Sequence, residues 1–140
     1  MGESLQDLGK HIADSTAGAV TGCTVRLGEL MLETTPDRLV ALLTFLRDDP
    51  RCLFKQMMDI CGVDYPEREK RFDVVYNLLS VRLNQRVRVK VATDENTPVP
   101  SAAPLFSSAG WFERETYDMY GVWFSDHPDL RRILTDYGFE

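Results

Sequence analysis

Two adjacent segments with different hydrophobic patterns constrain the fold more than any other part of the chain. Residues 72–81 form a nearly continuous apolar run, which is typical of a well-buried strand. A polar turn at residues 83–85 leads into residues 86–91, where arginine or lysine alternates with valine. Because successive side chains of a strand point to opposite faces, these valines should face a core and the basic side chains should face outward. The two segments therefore predict strands of a sheet with one open face.

Three helices are expected beside this sheet. Residues 4–17 carry leucine and isoleucine at helical spacing. A second helix should begin at Thr35-Pro36-Asp37, which combines a capping hydroxyl, a proline and an acid, and should end before Pro50. A third should span residues 111–120 and stop at Gly121, because glycine is favoured just after a helix C-terminus.

The remaining segments complete a fold prediction. Residues 23–27 and 29–33 have strand-like composition around a bend at Gly28, whereas residues 53–63 fit either a helix or a short strand ending at Gly62. Residues 93–104, which contain three prolines, predict an irregular connection. We therefore expect one α+β domain over residues 1–140, with two layers: helices packed on a small mixed, mainly antiparallel sheet.

Composition narrows the class of protein. A chain of 140 residues with 44% hydrophobic and 27% charged residues is ordinary for a soluble globular domain. The sequence shows no transmembrane span, secretory signal or transit peptide. Its net charge of -6 argues against nucleic-acid binding. Three cysteines, at spacings that match no zinc or iron–sulfur pattern, are interpreted as apolar core residues of a protein in a reducing cytosol.

A basic stripe on one strand parity is the first candidate functional feature. A stripe of this kind is either a solvated sheet face or a docking face for an acidic partner, where charge would supply orientation. Its members are Arg82, Arg86, Arg88 and Lys90.

The C-terminal residues 111–140 contain the candidates for chemistry. Glu115, Asp118 and His127 could act as a general acid–base set or hold a metal, as in a small hydrolase. The alternative is structural: Arg114 and Asp118 have the spacing of a helix ion pair, and His127 can cap a helical turn at residues 126–129. His11 is interpreted as a solvated residue.

The segment of residues 111–140 is also too rich in aromatic residues for the core of one small domain. This predicts that some of them face a partner: Trp111, Phe112, Tyr117, Tyr120, Trp123 and Phe124.

These motifs resemble those of a known family. Glu113-Arg114-Glu115, Asp118-Met119-Tyr120-Gly121, Phe124 and the run of residues 127–140 closely resemble the motif of the C subunit of NADH:quinone oxidoreductase, respiratory complex I. Cys61-Gly62-Val63-Asp64-Tyr65-Pro66 and residues 75–80 also resemble that family. The resemblance covers roughly the second two-thirds of the chain.

The resemblance implies a non-catalytic structural subunit in the quinone module of the peripheral arm, on the cytoplasmic side of the bacterial inner membrane. It implies complex I subunits D, B and I as partners, with no nucleic acid and no direct membrane span. It further implies that NADH, FMN, iron–sulfur clusters and quinone are bound by other subunits, so that this chain carries no cofactor, no metal and no catalytic residue. The activity would belong to the whole complex.

The resemblance also assigns a charged network that should fix the last helix against the sheet and present the C-terminal segment to the D subunit. Arginine suits such a network because its planar guanidinium can hold carboxylates with two hydrogen bonds. The family usually continues past Glu140 into a basic tail, so we expect a truncated form. The equivalent subunit of a membrane-bound hydrogenase shares parts of the motif and stays an alternative. The network residues are Glu113, Arg114, Glu115, Asp118, His127, Pro128, Asp129, Arg131 and Arg132.

Overall fold

The computed structural model describes residues 5–16, 18–26, 28–94 and 96–125. Its helices are α1 (Leu5–Ser15), α2 (Leu39–Asp48), preceded by a 3₁₀ turn at Pro36–Arg38, and α3 (Ala109–Tyr120). Its strands are β1 (Gly22–Arg26), β2 (Glu29–Thr34), β3 (Gln56–Asp64), β4 (Phe72–Ser80), β5 (Gln85–Thr93), β6 (Val99–Pro100) and β7 (Phe124–Ser125).

Five of these strands form one mixed sheet in the order β1-β2-β5-β4-β3. β2 and β5 run parallel, and the other neighbours are antiparallel. β4 and β5 pair along their whole length, from Phe72 opposite Thr93 to Ser80 opposite Gln85. The predicted α+β architecture, with a mixed and mainly antiparallel sheet, is confirmed.

The core lies on one face of this sheet. Val87, Val89 and Val91 of β5 are buried, as the alternating pattern predicts, and Leu30 and Leu32 of β2 are buried beside them. These side chains share one hydrophobic cluster with residues of α1 and of the leucine-rich α2, such as Ile12, Leu42 and Leu46. Burying a side chain of this size contributes about 1.5–3 kcal/mol, so the cluster fixes both helices on the same face.

The ambiguous segment at residues 53–63 is a strand. β3 pairs with β4 along residues 56–64, with an irregularity in register between Met57 and Asp59. Gly62 therefore lies inside the strand and does not end it, because pairing continues to Asp64 opposite Phe72. Tertiary pairing decides the conformation where local pattern does not.

Four local predictions need correction. Thr35 makes no side-chain cap, and the chain enters α2 through the 3₁₀ turn. The irregular segment after β5 contains the short strand β6. Cys52 is buried as predicted, but Cys23 and Cys61 are exposed because they lie on the two edge strands. His11 is largely buried and hydrogen-bonded, not solvated.

Among the described residues, none of the helices has the length and hydrophobicity to cross a membrane. The helical turn predicted at residues 126–129 lies outside the described residues.

Candidate functional site: the seam between helix α3 and strand β3

Helix α3 is held at both ends by a small pair of strands. β6 precedes the helix, β7 follows it, and the two run parallel, with Val99 opposite Phe124. The amide of Val99 donates to the carbonyl of Trp123 at 2.8 Å. Gly121 adopts φ +78° and its amide donates to the carbonyl of Tyr117 at 2.8 Å, which ends the helix at the predicted glycine. The pairing of β6 with β7 thereby holds the two ends of the segment that contains α3 together.

Glu113 joins the buried side of α3 to the residues that follow β6. Its side chain is fully buried and accepts hydrogen bonds from the Ser101 hydroxyl at 2.7 Å and the Ala102 amide at 2.6 Å. A buried carboxylate costs free energy unless its oxygens are hydrogen-bonded, and both oxygens are used here. Glu113 is therefore a structural anchor of the helix.

The helix approaches β3 closely at Gly62. A Cβ atom placed on this glycine would lie 2.7 Å from the Tyr120 ring, and that ring meets Phe72 edge-on with centroids 6.4 Å apart. The Thr116 hydroxyl donates to the carbonyl of Phe112 at 3.0 Å and lies 3.5 Å from that of Ile60. We call these contacts, together with Glu113, the α3–β3 seam. A glycine at this position allows the close packing, which explains its place in the strand.

Tyr76 lies fully buried in the core near the seam. Its hydroxyl has no hydrogen-bond partner among the described residues, which leaves a buried polar group unsatisfied. Burial raises the pKa of Tyr76 well above its ordinary value, and the negative charge of Glu113 raises it further. The phenol therefore stays protonated at neutral pH. No local sequence pattern indicates its closeness to Glu113.

The outer side of α3 carries exposed apolar and charged side chains. Trp111 and Met119 are 68% and 73% exposed, which is high for large apolar side chains. Glu115 and Asp118 are exposed on the same helix. Arg114 pairs with Asp118 across one helical turn at 3.4 Å, as the spacing predicts, and contributes a few tenths of a kcal/mol.

Three members of the basic stripe, Arg86, Arg88 and Lys90, lie on β5 and on the open face of the sheet, whereas Arg82 lies outside the strands, contrary to the predicted parity. Arg88 approaches Glu29 at 3.2 Å and Lys90 approaches Glu33 at 4.0 Å, since β2 and β5 are neighbours. Arg82 lies in the turn after β4, and its guanidinium donates to the carbonyl of Pro50. Within the described ranges, Arg86 is the member of the stripe without an ion pair or hydrogen bond. The face is thus mixed in charge.

The proposed acid–base set is only partly described. Glu115 and Asp118 are exposed, and Asp118 already faces Arg114. His127, Pro128, Asp129, Arg131 and Arg132 lie outside the described residues.

A different cluster was missed by sequence reasoning because its members lie far apart in the chain. Ligand atoms of His11, Asp49 and Cys52 lie within 4.8 Å of one another. Arg51 contacts Nδ1 of His11 at 3.0 Å, and Nε2 contacts Asp49 at 3.0 Å. Since arginine can only donate, Nδ1 accepts and the proton lies on Nε2. Both ring nitrogens are used by the protein, so this cluster is a clamp between α1 and the end of α2.

The clamp also affects the acidity of Asp49. Burial acts to raise the pKa of Asp49, but hydrogen bonds from His11, Cys52 and the Arg51 amide outweigh it, so the pKa lies below its ordinary value. Asp49 is therefore ionised at neutral pH and stabilises the contact between the two helices.

The large apolar side chains exposed on the outer side of α3 are of the kind that is enriched in protein interfaces. The chain belongs to the family of the respiratory-chain NADH dehydrogenase 30 Kd subunit, whose model matches residues 32–140.

Curated relatives agree with this assignment. The chain is 64% identical to the C subunit of the NADH-quinone oxidoreductase of Paramagnetospirillum magneticum, matching 100% of this chain and 71% of the relative. It is 61% identical to the corresponding C subunit from Rhizobium johnstonii, matching 100% of this chain and 70% of the relative.

Two solved structures share the fold. A trypsin-resistant fragment of Nqo5 matches with a TM-score of 0.67 and 26% identity, covering 89% of this chain and 97% of the fragment. A chain of the membrane-bound sulfane sulfur reductase, an archaeal respiratory membrane complex, matches with a TM-score of 0.74 and 25% identity, covering 87% of this chain and 71% of that one.

Proposed function

We propose that the chain is a non-catalytic structural and assembly subunit in the quinone module of the peripheral arm of proton-translocating NADH:quinone oxidoreductase. It would dock on the D subunit, lie near subunits B and I, and face the cytoplasm at the bacterial inner membrane. The observation that carries this proposal is the α3–β3 seam. The family motif places Glu113 in a structural anchor and leaves Trp111 and Met119 exposed for a partner.

In this account NADH oxidation and quinone reduction occur in other subunits. The chain would hold no NADH, FMN, iron–sulfur cluster, quinone or metal. The positions of the thiols support the absence of an iron–sulfur cluster: Cys23 and Cys61 lie on opposite edge strands of the sheet, and Cys52 is buried. Three thiols so arranged do not match the four-cysteine ligation of an iron–sulfur cluster.

The charged motif would form one network with two tasks. Glu113 fixes α3 from inside, whereas Arg114, Glu115 and Asp118 lie on more exposed parts of the helix. The network would be completed by residues that would present the C-terminal segment to the D subunit: His127, Pro128, Asp129, Arg131 and Arg132.

The basic face would be a secondary contact for an acidic partner, through Arg82, Arg86, Arg88 and Lys90. Its support is weaker than that of α3, because Arg88 and Lys90 already face Glu29 and Glu33 of the same chain. Such pairs are typical of a solvated sheet face.

Residues 1–140 would fold as one domain. The support is the likeness to the Nqo5 fragment, which is described as trypsin-resistant and 97% of which this chain covers.

A second candidate is the equivalent subunit of a related membrane complex. The match to a chain of the archaeal sulfane sulfur reductase favours it, since that chain shares the fold at a TM-score of 0.74. Sequence identity favours the first candidate, since the 64% identity to a C subunit of NADH-quinone oxidoreductase exceeds the 25% identity to the reductase chain.

The proposal is tested by tagging the full-length subunit in a bacterium that lacks its own copy, and purifying it from solubilised membranes. We expect mass spectrometry to find subunits B, D and I, together with restored NADH:quinone activity. Recovery of subunits of a different membrane complex would support the second candidate. Recovery of the tagged chain alone from both membranes and cytosol would contradict both.

A further inference from the structure

The groove between the edge strand β3 and helix α3 has features that the seam does not use. It has a volume of about 520 Å³. Gly62, Phe112 and Tyr120 line its apolar part, and Asp59, Cys61 and Glu115 line its polar part. A groove of this composition offers both apolar contact and charge.

The carboxylates of this groove make no ion pair within the described part of the chain, although Arg86 and Arg88 line a neighbouring pocket together with Asp59. Glu115 is exposed and makes no ion pair there. Asp59 accepts a hydrogen bond from the Asn77 side chain and a further one from the Cys61 thiol, neither of which carries a positive charge. One carboxylate comes from β3 and the other from α3, so they lie on opposite sides of the groove.

The Cys61 thiol lines the same groove as the two carboxylates. Burial raises the pKa of Cys61, and the charges of Asp59 and Glu115 raise it further, while Arg88 lowers it. Arg88 is itself paired with Glu29 at 3.2 Å, which offsets its charge. The groove is therefore a place where a positive charge is favoured.

Exposed apolar side chains flank the same place. Trp111, Glu115 and Met119 follow one another at intervals of four residues and so form one row along α3. The two apolar members are 68% and 73% exposed, and aromatic and methionine side chains are enriched in protein interfaces. An acid between two such side chains matches a partner that combines a cation with apolar contact.

We propose that the groove receives a lysine or arginine side chain from a segment of a partner subunit. The cationic group would lie between Asp59 and Glu115, and the aliphatic stem and its apolar neighbours would pack on Met119 and Trp111. Lysine and arginine suit this geometry because their stems bury against apolar surface while the charged end stays with the acids. The inference rests on the proposed function, since the partner is another subunit of the complex.

Charge reversal in the assembled complex tests the cation. With a tagged full-length subunit, Glu115→Lys should reduce the recovery of the partner subunits at least about tenfold, because like charges are strongly disfavoured at a contact. Glu115→Gln should reduce it less and only at raised salt. Asp14→Lys, which reverses an acid on α1 far from the groove, should leave recovery unchanged. Recovery of wild-type amounts with Glu115→Lys would overturn the inference.

The native thiol tests whether the groove is filled. In the purified wild-type complex, maleimide should label Cys61 at least about tenfold more slowly than in the same complex unfolded in urea, since a filled interface core excludes solvent. Cys23, exposed on the opposite edge strand, gives the comparison within the same chain. Full labelling of Cys61 in the native complex would overturn the inference even if subunits B, D and I co-purify. If wild type recovers no partner subunit at all, the proposed function fails instead.

Discussion

The α3–β3 seam and the open face of the sheet use the same kinds of residue in opposite ways. In the seam, one fully buried glutamate receives two hydrogen bonds at 2.6–2.7 Å. On the open face, Glu29 and Arg88 form a pair whose side chains are each about 45% exposed. A buried polar group costs free energy when it loses its partner, whereas an exposed ion pair contributes little. The burial of a charged residue, and not its charge alone, therefore determines how much it contributes to the stability of the fold.

Glu113→Ala should give the largest effect and tests the buried half of the comparison. The change leaves the Ser101 hydroxyl and the Ala102 amide without an acceptor, and each loss costs about 1–3 kcal/mol. We expect the free energy of unfolding to fall by about 2–4 kcal/mol, measured by urea denaturation. Glu113→Gln should destabilise less, because its carbonyl can still accept from the Ala102 amide while its NH2 faces the Ser101 hydroxyl, which can act as an acceptor. If the free energy of unfolding fell by no more than it does for a surface substitution, the Glu113 carboxylate would not be an anchor of α3.

Gly62→Ala tests whether the close approach of α3 is required. The added methyl group would lie 2.7 Å from the Tyr120 ring, so helix or ring must shift, at about 1–3 kcal/mol. Cys61→Ala, on the neighbouring exposed position, is the matched control and should be near neutral. In the double variant with Tyr120→Ala, the cost of the alanine at position 62 should largely vanish. If the destabilisation by Gly62→Ala and that by Tyr120→Ala simply added in the double variant, the predicted contact would be contradicted.

Asp49→Asn extends the comparison to a site of intermediate burial. A carboxyl whose pKa is lowered in the folded state stabilises it fully above the unfolded-state value of 3.8, and this is lost as pH falls through the lower folded-state value. Wild type should exceed the variant by about 1–2 kcal/mol at neutral pH. Urea denaturation across a pH series should show this difference shrinking as the pH falls below the unfolded-state value of 3.8. If the difference in the free energy of unfolding between wild type and Asp49→Asn grew as the pH fell, this prediction would be contradicted.

Arg88→Gln should give the smallest effect and tests the exposed half. The guanidinium and the Glu29 carboxylate lie 3.2 Å apart but in contact with water, so the free energy of unfolding should change by less than about 0.5 kcal/mol. Raising the salt concentration should reduce even this difference. A loss comparable with that of Glu113→Ala would remove the distinction between the two regions.

Sequence patterns predicted what depends on local spacing. The alternation of valine with basic residues determined the orientation of β5, and Gly121 marked the end of α3. The Arg114–Asp118 pair followed from helical spacing. These features need only neighbours within a few residues, which is why the pattern sufficed.

Contacts between distant segments could not be predicted in this way. Glu113 belongs to a run of charges that is typical of an exposed helix face, and its burial depends on the fold bringing Ser101 and Ala102 to it. Likewise His11 meets Asp49 only because α1 and α2 share one face of the sheet. Gly62 has the local pattern of a strand end, because nothing near it in the sequence shows that the Tyr120 ring will pack on it.

One measurement tests the central claim that assembly depends mainly on α3, with the basic face as a secondary contact. It compares the amounts of subunits B and D that co-purify with three tagged full-length subunits: wild type, Glu115→Lys, and a triple variant in which Arg86, Arg88 and Lys90 are all changed to glutamine. We predict recovery close to wild type for the triple variant and a loss of at least about tenfold for Glu115→Lys. The reverse pattern, with assembly lost in the triple variant and kept in Glu115→Lys, would place the docking surface on the sheet and contradict the account.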